Sequence, residues 1–242
     1  MFSILKKELR SFFSSATAYI VIGIFLSVTS LLLWVFPGNF NILDTGYAHV
    51  EGLFFASPWL FLFLCPAISM RLFVEEKQTG TWELLITKPL TIWSLVLGKY
   101  FAAWILVLLA LVPTIIYYVS VILLAEPIGN VDAGAFWGSF IGLVFLSGLY
   151  LSIGIFSSSI SNNQIVAFVI SIVISFFMFY GFELLSSFFS SGKWINFFDN
   201  IGINYHYKSM SRGVIDTRDV IYFLVSSMVF LLFTELKISK LK

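Results

Sequence analysis

The residues able to do chemistry in this chain are few, and most crowd into one stretch. From Arg71 to Pro89 the sequence reads RLFVEEKQTGTWELLITKP and carries six charged side chains: Arg71, Glu75, Glu76, Lys77, Glu83 and Lys88. Each costs about 2.5–3.5 kcal/mol at the centre of a bilayer, so burying the whole set there would cost on the order of 15–20 kcal/mol. It must lie in water or among headgroups. Two roles suit such a set: a solvated loop whose charges only fix topology, or a surface helix that a partner grips. Catalysis has little to work with elsewhere. His49 and His206 are far apart in sequence, and neither stands in a His-Glu-x-x-His or Gly-x-Ser-x-Gly setting, so both are expected to be surface or interfacial residues. Cys65 is the only cysteine and sits in an apolar run, which excludes an intramolecular disulfide and a thiolate metal site and leaves packing as its role. No G-x-x-x-x-G-K-[ST] loop is present to cradle a nucleotide phosphate.

The elements that hold the charged stretch read as a helix, a break and a second short helix. Residues before Lys77 continue the preceding apolar helix, and Gly80 can take the left-handed conformation that ends it. Thr81 stands where an N-cap belongs, and Glu83 falls in the first turn behind it, favourable at the positive end of the helix dipole. Trp82, Leu85 and Ile86 make an i, i+3, i+4 apolar edge beside Leu84, and Pro89 closes the turn. The spacing therefore predicts a short amphipathic helix on the membrane surface, slung between two spanning helices.

Those spans follow from composition. With 59% hydrophobic and 11% charged residues and a mean hydropathy of +0.97, the 242-residue chain is an integral membrane protein of the all-α class, with room for about six spans of roughly 20 residues. The net charge of +1 and the lack of a basic patch interleaved with aromatics argue against nucleic acid as a partner. Residues 1–16 put Phe2, Leu5, Leu9, Phe12 and Phe13 on one helical face and Lys6, Lys7, Glu8 and Arg10 on the other, an interfacial helix against anionic lipid. The spans are expected at 18–36 (too long for a signal-peptide core, so read as uncleaved), 53–70, 93–124, 133–157, 165–185 and 220–234. The third is interrupted by Pro113 and passes Lys99 at the interface. The fourth begins with Gly134, Gly138 and Gly142, one small residue per turn, which lets a neighbouring backbone approach closely, either within the chain or in a partner subunit. Ser157 to Gln164 is expected to be a tight turn. Residues 186–217, rich in Phe, Trp and Tyr yet interrupted, suit a re-entrant or interfacial pair of short helices on the outer face.

Orientation follows from the basic residues. Lys6, Lys7 and Arg10, then Arg71, Lys77, Lys88 and Lys99, then Lys237, Lys240 and Lys242 all fall on one side of a six-span bundle, whereas 37–52 and 125–132 hold no Lys or Arg. The positive-inside rule puts both termini and the 71–89 segment in the cytoplasm. A surface helix clamped between two spans is a lever, because whatever grips it can tilt both spans.

The order Arg71, Glu75-Glu76-Lys77, Gly80-Thr81, Glu83-Leu84-Leu85, Thr87, Pro89 resembles the cytoplasmic coupling segment of ABC-2 type permeases, the membrane subunits of type V ABC exporters. The whole chain also looks like the gliding-motility-associated ABC transporter permeases of Bacteroidetes. The resemblance implies that Arg71 to Leu85 dock on a separate ATPase subunit present in two copies. It implies too that ATP and Mg belong to that partner with no cofactor in this chain, that a second permease, identical or homologous, completes the exporter, and that the complex sits in the bacterial inner membrane. Ser147, Ser152, Ser171 and Ser175 suit either an amphipathic cargo path or helix packing. A secondary carrier would place ionisable residues in mid-span, where this chain has almost none, and Glu183 falls near an outer end. A membrane scaffold without solute transport is the other reading.

Overall fold

An apolar run in lipid must satisfy its own backbone groups, which a single segment can do only as a helix. The computed structural model describes residues 1–86 and 91–240, and of residues 84–86 the backbone alone; every regular element among these is helical. The order is α1 (Phe2–Ser14), α2 (Ala16–Trp34), α3 (Ile42–Thr45), α4 (Glu51–Ser69), α5 (Arg71–Gln78), α6 (Thr81–Ile86), α7 (Ile92–Leu111), α8 (Ile115–Leu124), α9 (Ala133–Ile160), α10 (Gln164–Phe176), α11 (Phe182–Ser187), α12 (Gly192–Asp199), α13 (Ile203–Ser211) and α14 (Thr217–Ser239). Among the described residues, six stretches are long and apolar enough to cross a membrane: Ala16–Trp34, Glu51–Gln78, Ile92–Leu124, Ala133–Ile160, Gln164–Ser187 and Thr217–Ser239. The chain is a six-span, all-α, multi-pass membrane protein, as expected.

The bundle is built around α9, which packs against α14, α4, α10, α13, α7 and α5. Its residues are small where neighbours are large. Gly148 receives the Tyr100 hydroxyl and the Trp104 ring, Gly154 meets Ser69, and Ser147, Ser152, Ser157 and Ser158 are fully buried. The Gly138 and Gly142 face takes its neighbour from within the chain. Tyr207 and Met210 of α13 and the following turn at Gly213 lie where side chains at these glycines would stand, while Gly134 packs more loosely nearby.

Several boundaries differ from expectation for local reasons. Pro113 does interrupt the third span, as a 3-10 turn at Val112–Thr114 between α7 and α8. The fifth span carries a π turn at Phe177–Gly181 between α10 and α11. Ser157, Ser158 and Ser159 are not a turn but the buried last turns of α9; the turn is only 161–163, where Ser161 Oγ accepts from Asn163 N at 3.1 Å. The hydroxyls are satisfied within the helical geometry: Ser157 and Ser159 donate back to carbonyls three or four residues earlier, Ile153 O and Phe156 O, and Ser158 donates across to Met70 O. Residues 186–217 do hold two short helices, unequal in kind. α13 buries Ile203, His206, Tyr207 and Met210, and Tyr207 Oη donates to Phe54 O at 2.8 Å. α12 buries nothing and stacks Trp194 and Phe198 on Phe189.

α1 also departs from a simple interfacial helix. Its buried line is Ile4, Glu8 and Phe12, at four-residue spacing, and it lies along α7, where the absence of a side chain at Gly98 admits Ile4. Phe2 is 79% exposed and Phe13 is also on the outside, so the apolar face read from the sequence is split between protein and surroundings.

Candidate functional site

The joint between α4 and α5 is where the second span leaves its apolar partners. At Met70 the helix is pinned from the side by α9: Phe73 N and Val74 N donate to Ser158 Oγ at 3.1 and 3.4 Å, and Ser158 Oγ donates to Met70 O at 2.9 Å. One buried hydroxyl thus serves both sides of the joint, and α5 leaves it in a set direction.

Beside that joint lies a buried charge cluster. Lys99 of α7 is only 1% exposed, and its ammonium lies 3.0 Å from Glu8 Oε1 of α1, 2.8 Å from Glu76 Oε1 of α5 and 2.7 Å from Leu72 O. The Phe73 ring lies beneath it at 5.2 Å. Lys7, half outside, closes the set at 3.0 Å from Glu76 and 3.5 Å from Glu8. The formal charges sum to zero, which is what allows two carboxylates and a fully enclosed ammonium to share one site. For Lys7, partial burial alone lowers the ammonium pKa, but the carboxylates of Glu76 and Glu8 outweigh it and hold it above the ordinary lysine value. Sequence reading put Lys99 at the membrane interface and Glu8 on the polar face of α1. The structure encloses both side chains between helices, so Glu8 is not on an exposed polar face. A lone cation in an apolar run and a lone carboxylate in a basic helix were the available signal, since each has to find a partner when enclosed.

The ten residues expected to form a coupling surface are divided by the fold. Glu76 is buried in the cluster. Arg71 turns back, its guanidinium 3.0 Å from Thr17 Oγ1 and 4.7 Å above the Phe12 ring. Lys77 donates to Ser159 O and Ser161 O, at 2.6 and 3.0 Å, satisfying carbonyls at the end of α9. These three therefore hold α5 to its own chain. Glu75, Gly80, Thr81 and Glu83 stand exposed. Gly80 has φ +70°, the left-handed conformation that its position between two helices demands. Thr81 is the first helical residue of α6, and its hydroxyl lies 3.0 Å from Thr79 Oγ1 and donates to Glu76 O at 3.4 Å. Trp82 is half-buried, edge-on to Phe73 at 5.9 Å. The side chains of Leu84 and Leu85, and all of Thr87, Lys88 and Pro89, lie outside the described residues.

The opposite end carries two features that the sequence did not suggest. His206 is buried, not superficial: Nδ1 is 2.7 Å from Asp219 Oδ1, Nε2 is 2.9 Å from Asn200 O, and Tyr222 stacks on the ring at 3.9 Å. Both ring nitrogens face acceptors, one a carboxylate and the other a backbone carbonyl. Nearby, a cavity of about 590 Å³ opens between α4, α8, α9, the π turn and α13. Ser147, Ser152, Ser171 and Ser175 do not line it. All four are buried between helices, and Ser147 accepts from Trp104 Nε1 at 3.2 Å.

A family model described as ABC-2 family transporter protein matches residues 36–234. That region holds five of the six spans almost entire, together with Glu76 and Lys99; α1 and its Lys7 and Glu8 precede it. No curated protein gives a match. The matched region covers well over half of the 242 residues and coincides with the membrane bundle just described, so the chain belongs to the ABC-2 transporter family and is a membrane permease subunit of an ABC transporter.

Proposed function

We propose that this permease receives ATP-driven motion from a separate ATPase subunit through the exposed edge formed by Glu75, Gly80, Thr81 and Glu83, and delivers it to the bundle through the Lys99 cluster. The observation that carries this reading is the convergence on Lys99 of carboxylates from α1 and α5. A push on α6 reaches α5, and α5 cannot move without α1 and α7. The membrane family has an ABC ATPase as its general partner, and the chain offers no nucleotide loop of the Walker type, so ATP and Mg belong on that partner.

On this reading α1, α5 and α6 face the cytoplasm, in line with the basic residues gathered at that end, and both termini lie on the same side of the bacterial inner membrane. Two ATPase copies and a second permease, identical or homologous, complete the assembly. Export is the proposed direction, and the likeness to gliding-motility permeases supports a service in gliding motility.

The test is the native complex, extracted in mild detergent through a tag on this chain. Glu83→Arg is expected to lower recovery of the ATPase chain severalfold. Lys99→Met is expected to retain the ATPase but to abolish the effect of the permease on its turnover. Full recovery with Glu83→Arg together with unaltered turnover control with Lys99→Met would defeat the proposal.

A further inference from the structure

The cavity at the end opposite α1 has the chemistry of a binding site. Its volume of about 590 Å³ falls within the range of small-molecule pockets. Its walls are largely aromatic, with Phe54, Trp59, Tyr118, Phe136, Phe179 and Tyr180 among them. The charges at its edge are unequal. Glu51, in the first turn of α4, makes no hydrogen bond or ion pair among the described residues, and Asp132 spends one oxygen capping α9 through Ala135 N. The one lysine or arginine lining it among the described residues, Lys208, is 3.0 Å from Glu183 Oε1 and so is already paired. The flanking segments 37–52 and 125–132 contribute no lysine or arginine. His49 also lines the cavity.

Aromatic faces attract a cation through their quadrupoles, and a desolvated cation gains more there than an exposed one. A carboxylate edge without a free lysine repels anions. We infer that this cavity binds a hydrophobic cation, a molecule with an aromatic or alkyl body and one delocalised or quaternary positive charge. The inference concerns binding by this chain alone and does not depend on the coupling proposed above, because no nucleotide or partner subunit is needed to observe it.

Tetraphenylphosphonium and tetraphenylborate are nearly the same shape and opposite in charge, so together they separate charge from greasiness. Equilibrium dialysis of the full chain in a non-ionic detergent, against detergent alone, should show one saturable site per chain for the cation and none for the anion. Glu51→Gln should weaken the cation severalfold and Glu51→Lys at least tenfold. Ala135→Trp, which fills the cavity from its rim, should abolish the site. Protection of the buried Cys65 thiol verifies that each variant is folded. Absence of a saturable cation site, comparable binding of tetraphenylborate, or unchanged affinity in folded Glu51→Lys and Ala135→Trp chains would overturn the inference.

Discussion

Replacing Lys99 with methionine keeps the length and apolar stem of the side chain and removes only the ammonium. What remains is Glu8 and Glu76 on opposite sides of an emptied point of contact, with Lys7 as their only counter-charge among the described residues, and that side chain is 56% exposed. Leu72 O loses its donor as well. At an effective dielectric of about 20, a pair at 4 Å is worth about 4 kcal/mol, and Lys99 makes two closer contacts. Desolvating Lys99 offsets much of that, so the net cost of removing one partner from the buried set is about 3–5 kcal/mol. The companion variant, Glu8→Gln with Glu76→Gln and Lys99→Met, leaves no stranded charge and should cost less than the single change. Cys65 supplies the assay, because it is the only thiol and has no solvent exposure. A dye that fluoresces on reacting with thiols reports the opening of the core as the purified chain is heated. The Lys99→Met midpoint should fall by on the order of 10 °C, with the triple variant recovering part of the loss. A Lys99→Met midpoint within about 2 °C of the parent, or a triple variant less stable than the single one by the sum of its separate changes, would show that the cluster does not hold α1, α5 and α7 together.

Two further changes probe other parts of the bundle. Gly138→Ala would drive a methyl group into Met210 O and to 2.9 Å from Gly213 Cα, both backbone, so the same thermal assay should show a loss of about 2 kcal/mol or more; Gly23→Ala, with open space around it, should be neutral or slightly stabilising as a mid-helix Gly→Ala change. His206→Ala strands the buried Asp219 carboxylate, whose Oδ2 already lacks a partner among the described residues, and should cost about 3 kcal/mol, whereas pairing it with Asp219→Ala should restore much of the stability in a double-mutant cycle.

Membrane character, the number of spans and the position of the charged segment along the chain were all legible in the sequence, because they depend on local quantities: the length of an apolar run, the cost of a charge in lipid and the conformations that glycine and proline allow. Pro113 and Gly80 act where they were read for that reason. Partnership was not legible. Glu75 and Glu76 are adjacent and identical in type, yet one faces outward and the other is enclosed between helices that begin 74 residues earlier and 16 residues later. The sequence holds no sign of which is which, since the choice depends on how α1 crosses α7. Ser157 to Ser159 look like a turn in sequence and are a helix core in space, and His206 looks superficial and is sealed beneath Tyr222. Local chemistry by itself determined that this chain spans the membrane six times and carries one segment that cannot. Only the tertiary structure decided which of that segment's charges hold the permease together and which remain free to meet a partner, because an ion's environment is set by neighbours that are distant along the chain.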